Sequence, residues 1–419
     1  MEEYAADLMR LHMITNLFAP DELAGAALFT DLALFLRDCG HDVRVTTTFS
    51  YYPAWRLRPE DEGVSVSDEC AIGIPVRRVA MYVPNRLSAR SRMVSELSFL
   101  VSLIRHARHP GWLPDVVLTA LPMLSQCLAQ RFLYVGKGIP RLIVVQDFVV
   151  DAALELGMLR LPGFVGFLHA TQRFALCAAQ TLVTISPLML AKLRRIMGAN
   201  HRTRCLCNWV HASLLGEIDR QTAKHHPQRS GVLLYAGNIG VKQGLPEFLA
   251  LFRSANAAES GWQLEIHGGG AELDRLSAEV SRTPGCQLGP VLPQEDYVTA
   301  LLTASACLVT QRAGVSADFL PSKLLPALAT GTPVLAVCER TSPLGQEVGE
   351  GEFGAVVCPG DTQGLAQTLR CWRKEPDLTR AMSAKARERA RLYHRDRILP
   401  EYETELLALT NRPARTGAL

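Results

Sequence analysis

Two stretches of the sequence hold residues suited to an anionic ligand. The first, Leu234-Tyr-Ala-Gly-Asn-Ile-Gly-Val-Lys-Gln-Gly244, leaves a strand, passes glycines and enters a helix. Glycine lets the backbone approach a ligand closely, and the free N–H groups of a first helical turn favour negative charge. Lys242 adds an ammonium that acts on a phosphate as a point charge, with Asn238 and Gly240 in the same turn. The pattern is neither a P-loop nor Gly-x-Gly-x-x-Gly, so it also reads as an ordinary strand-to-helix turn with a solvated lysine. The second stretch is Asp318-Phe-Leu-Pro-Ser-Lys-Leu-Leu-Pro-Ala-Leu-Ala-Thr-Gly-Thr-Pro-Val334. Here Pro321-Ser322 signals a helix start with a capping hydroxyl, and Gly331-Thr-Pro stops that helix before a buried strand. Lys323 in a first turn opposes the helix dipole unless an anion is present. That local conflict favours a binding site, with a solvated lysine as the alternative.

Both stretches need a scaffold that brings strand ends together. At 419 residues the chain is long enough for two domains of roughly 100–200 residues each. Short apolar strands at Leu11–Asn16, Val43–Thr48, Val116–Ala120, Leu142–Gln146 and Thr181–Ile185 alternate with helical stretches such as Gly25–Cys39. That alternation predicts a parallel sheet covered on both faces. A polar stretch at 216–230 reads as a linker, and the alternation restarts with strands Val232–Tyr235, Gln263–His267, Cys307–Thr310 and Val334–Val337. Helices are expected at Gly244–Asn256 and Ser322–Ala329. The expected organisation is an α/β chain: a doubly wound domain at 8–215, the linker, and a second such domain at 231–392, the two facing a central cleft. A helical stretch is expected from about Leu378 to Leu409, and a C-terminal helix at 393–412, which overlaps its end, would pack back across the linker. Ligands in such sheets sit at the carboxyl ends of the strands.

Composition narrows the class. Hydrophobic residues are 48% and charged residues 20%, the balance of a soluble globular protein. No apolar run approaches the ~18 residues of a membrane span, and the acidic start has no signal-peptide pattern. Eleven cysteines lie scattered apart from Cys205-x-Cys207, without metal-ligand spacing, as expected of reduced thiols in a cytoplasm. The net charge of +3 conceals an acidic block at 1–70 (5 basic, 13 acidic groups) and a basic one at 71–215 (17 basic, 5 acidic). No order of Ser, His, Cys or Asp defends a catalytic triad, and no recognition motif for nucleic acid accompanies the charge.

The ordered set of motifs resembles the retaining, nucleotide-sugar-dependent glycosyltransferases of family 4, which have the GT-B fold. It is most similar to their colanic-acid-type exopolysaccharide enzymes. The resemblance runs through GHDVRV (Gly40–Val45), Tyr51-Tyr-Pro-Ala-Trp55, Gln146-Asp147, Asn208-Trp209, AGNIGVKQGL (Ala236–Leu245), Gly268-Gly-Gly270 and LPSKLL (Leu320–Leu325). It implies that Gly25 meets the donor diphosphate through its backbone and that Lys242 binds a phosphate. Asn238 stands where many relatives carry arginine, a deficit that Lys323 compensates, with Ser322 beside it. Gly268, Gly269 and Gly270 would lie by the nucleobase. Asp318 holds the place of the first of two family glutamates and would grip the transferred sugar, whereas Pro326 occupies the second and cannot accept a ribose hydrogen bond. Gln146-Asp147 stands near the place of a family histidine, so Asp147 or Asp151 is the candidate for acceptor or sugar recognition, with Asn208 as a further binding residue.

The implied chemistry needs positive charge on a departing diphosphate, supplied by Lys242, Lys323 and helix-terminal N–H groups. With retention, the departing phosphate itself takes the acceptor proton. A nucleotide-sugar donor is the co-substrate; no cofactor and no metal are expected. The expected acceptor is a lipid-linked glycan. The basic, apolar stretch at about 86–109, with Arg160–Arg173, would dock on the anionic inner face of the plasma membrane, making the protein cytoplasmic and peripheral. A non-catalytic GT-B partner in a glycan assembly complex is the alternative.

Overall fold

The computed structural model describes residues 8–21, 24–51, 55–84, 89–148, 150–151, 162–198, 201–224, 231–313 and 320–410. Their strands form two sheets in two units, one spanning Met1–Cys207 with Ile398–Leu419 and the other Asn208–Arg397. The first sheet contains β1 (Arg10–Ile14), β2 (Asp42–Thr48), β3 (Val66–Ala71), β4 (Ile74–Val79), β5 (Val116–Ala120), β6 (Arg141–Val145), β7 (Thr181–Thr184) and β8 (Arg202–Cys205). Their order is β3-β4-β2-β1-β5-β6-β7-β8. All neighbours run parallel except β3 and β4. Strands such as β5 and β6 are near-continuous apolar runs because helices cover both faces of a parallel sheet. The edge strand β3 is mostly exposed and polar, which discourages pairing with another chain.

The second sheet holds β9 (Val232–Ala236), β10 (Gln263–His267), β11 (Cys286–Gly289), β12 (Ala306–Thr310), β13 (Val334–Val337) and β14 (Gly354–Val357). It is all parallel, in the order β11-β10-β9-β12-β13-β14. Chain order reverses between β1 and β5 in one sheet and between β9 and β12 in the other. Loops after those strand pairs diverge to opposite faces and leave crevices at their carboxyl ends. Each half is thus a Rossmann-like domain.

The linker expectation fails over most of its length, because Ala212–Lys224 is a helix. Its buried side is Leu214, Glu217, Ile218 and Gln221, a helical spacing in which two members are polar. Gln221 donates to Glu217 and to the Glu295 carbonyl and accepts from Thr299, so hydrogen bonds replace apolar contacts and the period vanishes from a hydrophobicity reading. Residues 225–230 lie outside the described ones.

The helical stretch expected from Leu378 to Leu409 is two helices, Pro376–Ala390 and Arg395–Thr410. Between them the Tyr393 carbonyl accepts the Val210 N–H at 2.9 Å and Val210 bridges His394, so this backbone serves another partner than the helix ladder. From Ile398 the last helix belongs to the first unit. Glu405, buried, accepts from Arg202 at 2.6 Å and Arg204 at 2.7 Å. His41 accepts the Met9 N–H on Nδ1, so Nε2 bears the proton and donates to Glu403 at 2.9 Å.

A polar cluster lies inside the first unit's core. His12 on β1 is fully buried. The Thr46 hydroxyl donates to the Ala107 carbonyl and so accepts from His12 Nε2 at 2.9 Å, leaving Nδ1 to accept from the Tyr134 hydroxyl at 2.9 Å. The His109 ring stands edge-on to His12, with centroids 5.4 Å apart. Burial is the main force holding both imidazoles neutral, and Arg77 adds to it: His109 is pushed down to about 4, and His12 well below the usual histidine range.

Candidate functional site

The crevice beyond β9 and β12 is built from backbone packed tightly enough to require glycine. The loop after β9 lies against the loop after β10: the Gly237 N–H donates to the His267 carbonyl and the Ile239 N–H to the Gly269 carbonyl, both at 2.8 Å. A Cβ at Gly268 would lie 1.9 Å from the Gly237 oxygen, and one at Gly270 would strike the Ile239 oxygen and Asn238 Oδ1. Gly268 and Gly270 thus have a packing reason to be glycine that needs no ligand. At Gly269 the nearest atom would be Val291 Cγ2, 3.9 Å away.

The loop after β9 then makes a short turn at Val241–Gln243 that contains Lys242, and Gly244 follows in the left-handed region at φ 61°. Gly240 donates its N–H to the Gln243 side chain. The Lys242 carbonyl accepts the Arg312 N–H at 2.9 Å, which ties this turn to the loop after β12. Asn238 is exposed and Lys242 half-buried.

Lys323 arrives from the same loop after β12. Its ammonium lies 5.0 Å from the centroid of the Tyr235 ring. Among the described residues it takes part in no hydrogen bond or ion pair. Burial pushes its pKa down to about 8, against a small opposing effect of the Cys307 thiol. Lys323 is half-buried, and a charge held this way favours an anion, because loss of part of an ammonium's hydration without a counter-charge is costly. The expected cap is absent: the helix here is Leu324–Thr330, Lys323 rather than Ser322 is its cap residue, and no side chain caps it. The Pro321 carbonyl takes the Leu324 N–H instead, and Ser322 is exposed. Pro326 sits half-buried inside that helix. Asp318 lies outside the described residues.

The structure therefore brings Asn238, Gly240, Lys242, Lys323 and the 268–270 glycines together on one unit, with Asn208 as that unit's first residue. Gly25, Asp147 and Asp151 belong to the other unit. Gly25 is exposed in the first turn of helix Ala24–Asp38, with open space where a Cβ would be. Asp147 follows β6. Asp151 is held by Lys192 at 2.9 Å and His169 at 3.6 Å, so its carboxylate already has counter-charges. Tyr235 escaped the sequence reading because it looks like any buried strand residue. The available signal was topological: β9 and β12 are neighbours only because the chain order reverses there. Among the described residues no group of three or more His, Cys, Asp or Glu could hold a metal ion.

The first unit has a distinct surface. Helix Ala89–His106 buries Ser95, Phe99 and Leu103 but also exposes Met93, Val94, Leu97, Val101 and Ile104, making it apolar on both faces. Leu97 is 60% exposed. Arg90, Arg92, Arg105 and Arg108 are exposed around this stripe. Helix Leu124–Leu133 packs beside it and exposes Phe132, and helix Pro162–Leu176 follows with exposed Phe167 and Phe174. The Arg131 guanidinium lies 4.0 Å over the Phe174 ring. Contiguous exposed apolar area of this kind marks an interaction surface. No helix among the described residues is long and apolar enough to cross a membrane.

Comparison with known proteins agrees with the two-domain plan. Residues 25–209 match the glycosyl transferase 4-like domain and residues 217–389 match glycosyl transferases group 1. The chain is 29% identical over 367 residues to the colanic acid biosynthesis glycosyl transferase WcaI of Escherichia coli (strain K12), covering 83% of this chain and 88% of that one. Its fold is similar to sucrose-phosphate synthase from Thermosynechococcus elongatus, with TM-score 0.70, 16% identity and coverage of 96% and 99% of the two chains. It is similar too to Anabaena HepE, solved in complex with UDP, with TM-score 0.61, 13% identity and coverage of 96% and 100%. The fold is that of the GT-B glycosyltransferases.

Proposed function

This chain belongs to the glycosyltransferases, and we propose that it moves a sugar from a nucleoside-diphosphate donor to a lipid-linked glycan in exopolysaccharide assembly, with retention of configuration. The observation that carries the donor half is Lys323, a half-buried lysine without an anionic partner among the described residues, in a glycine-walled crevice that also holds Lys242. Cleaving a sugar–diphosphate bond leaves negative charge on the departing diphosphate, and cations already in place stabilise it without reorganisation. Lys242 and Lys323 supply that charge in this reading, which uses no metal. The departing phosphate oxygen accepts the acceptor's proton as the new bond forms, so no side-chain base is required. Asp147 orients the sugar or the acceptor hydroxyl. WcaI is named for colanic acid biosynthesis, and HepE was solved with UDP; both support this substrate class.

The acceptor half rests on the exposed apolar stripe of helix Ala89–His106 and its arginines, which suits an anionic membrane in which a lipid-linked glycan is embedded. The protein in this reading is cytoplasmic and works at the inner face of the plasma membrane. Pro326, which offers no hydrogen-bond acceptor from its side chain, favours a second reading, a non-catalytic partner in a glycan assembly complex. The test is release of nucleoside diphosphate from a nucleotide-sugar panel in the presence of cell-lipid extract. Donor consumption that requires the lipid supports transfer; no consumption with any donor leaves the partner reading.

A further inference from the structure

One side chain touches both the cation and the glycine loop of the crevice. Tyr235, the fourth residue of β9, is fully buried. Its ring lies under the Lys323 ammonium, and its hydroxyl donates to the Asn238 carbonyl. Gly237 also adjoins Lys323: a Cβ there would come within 2.5 Å of Lys323 Cε and 2.9 Å of its Nζ. The lysine therefore lies against both an aromatic face and a bare stretch of backbone. The Asn238 carbonyl, bonded to a buried hydroxyl, is turned into the protein, which keeps its oxygen away from an anion in the crevice.

We propose that Tyr235 is a positioning residue for diphosphate binding: its ring seats the Lys323 ammonium while its hydroxyl turns the Asn238 carbonyl inward. Cation and loop then meet the diphosphate in a fixed relation. The ring's negative face attracts the ammonium, and that attraction is strongest where water is excluded. The inference rests on the donor reading above.

The test is calorimetric binding of inorganic pyrophosphate, UDP, GDP and ADP to the full chain and its variants, with thermal melts as the check on folding. Tyr235→Leu should weaken the diphosphates that bind by about tenfold, and should add nothing further in a Lys323→Met background. Because Tyr235→Leu also cuts into the core, fluorinated phenylalanines at position 235 give a second measurement. They keep the shape while draining the ring's negative face, so affinity should fall stepwise with fluorine number at constant melting temperature. Tyr235→Phe should raise the donor KM about threefold and leave kcat unchanged. Affinity indifferent to fluorination, or equal losses with and without Lys323, overturns the proposal while the donor reading stands. A wild-type chain that binds none of the four probes overturns the donor reading and this proposal with it.

Discussion

The two domains share a parallel-sheet plan and use their surfaces in opposite ways. Of the large hydrophobic side chains exposed among the described residues, all but Val291 and Leu392 lie in the first unit. That unit also carries the basic block, and Asp151 near its strand ends is already matched by Lys192 and His169. The second unit is nearly neutral, yet it holds a half-buried ammonium beside bare glycine backbone. The difference teaches where each half meets its ligand. In the proposed reading the second unit meets a small anion in its crevice, while the first presents an extended apolar and cationic face.

The largest expected effect tests the second unit. Lys242→Ala should lower transfer by about 100-fold or more with an unchanged melting temperature. Turnover near wild type in that variant would remove the crevice from the mechanism.

Acid should then separate the halves. His12 and His109 are neutral in the folded first unit, whereas the unfolded chain takes up protons below about 6.5. Their contribution to stability is complete above that pH and is lost as pH falls toward 4. With His109 held at about 4, the loss is about 3 kcal/mol. Calorimetry at pH 7.5 and 5 should show the first unit's transition falling, and His109→Gln should flatten that dependence. A first-unit transition indifferent to pH would mean the pair is solvated.

A smaller effect concerns the apolar face. Replacing Leu97 and Val101 by glutamate should reduce flotation with anionic liposomes about tenfold and leave pyrophosphate binding untouched. Wild-type binding that ignores lipid charge would contradict the docking idea. Smallest of all, Asp151→Asn should cost about 1 kcal/mol or less, because its pair with Lys192 is partly exposed. A larger loss of transfer at equal stability would show that Asp151 contacts a substrate.

Strands buried on both faces were the most legible part of the chain. Val116–Ala120 and Val334–Val337 form as their apolar runs predict, residue for residue, and the alternating Gln263–His267 forms over its expected span as well. Elements held by polar contacts were not. The Ala212–Lys224 helix hides behind Glu217 and Gln221, and β3 has almost no buried side chain to announce it. In the crevice, residue chemistry singled out Lys242 as an ammonium in a glycine turn at a helix start, and Lys323 as a lysine expected in a first helical turn, where it opposes the dipole without an anion. Tyr235, the partner of Lys323, was illegible because its meaning comes from a residue brought alongside by the sheet's reversal. The capping role expected of Ser322 failed because the helix begins two residues later.

The last helix has a consequence for how the molecule is made. His41, Arg202 and Arg204 of the first unit find their partners on Glu403 and Glu405, after the entire second unit in the chain. A ribosome adding roughly 5–20 residues per second must therefore translate all of 208–397 before the first unit can be finished. For on the order of ten seconds the nascent chain carries its apolar face on an incomplete domain, and a premature stop near the carboxyl end would injure the half that was synthesised first.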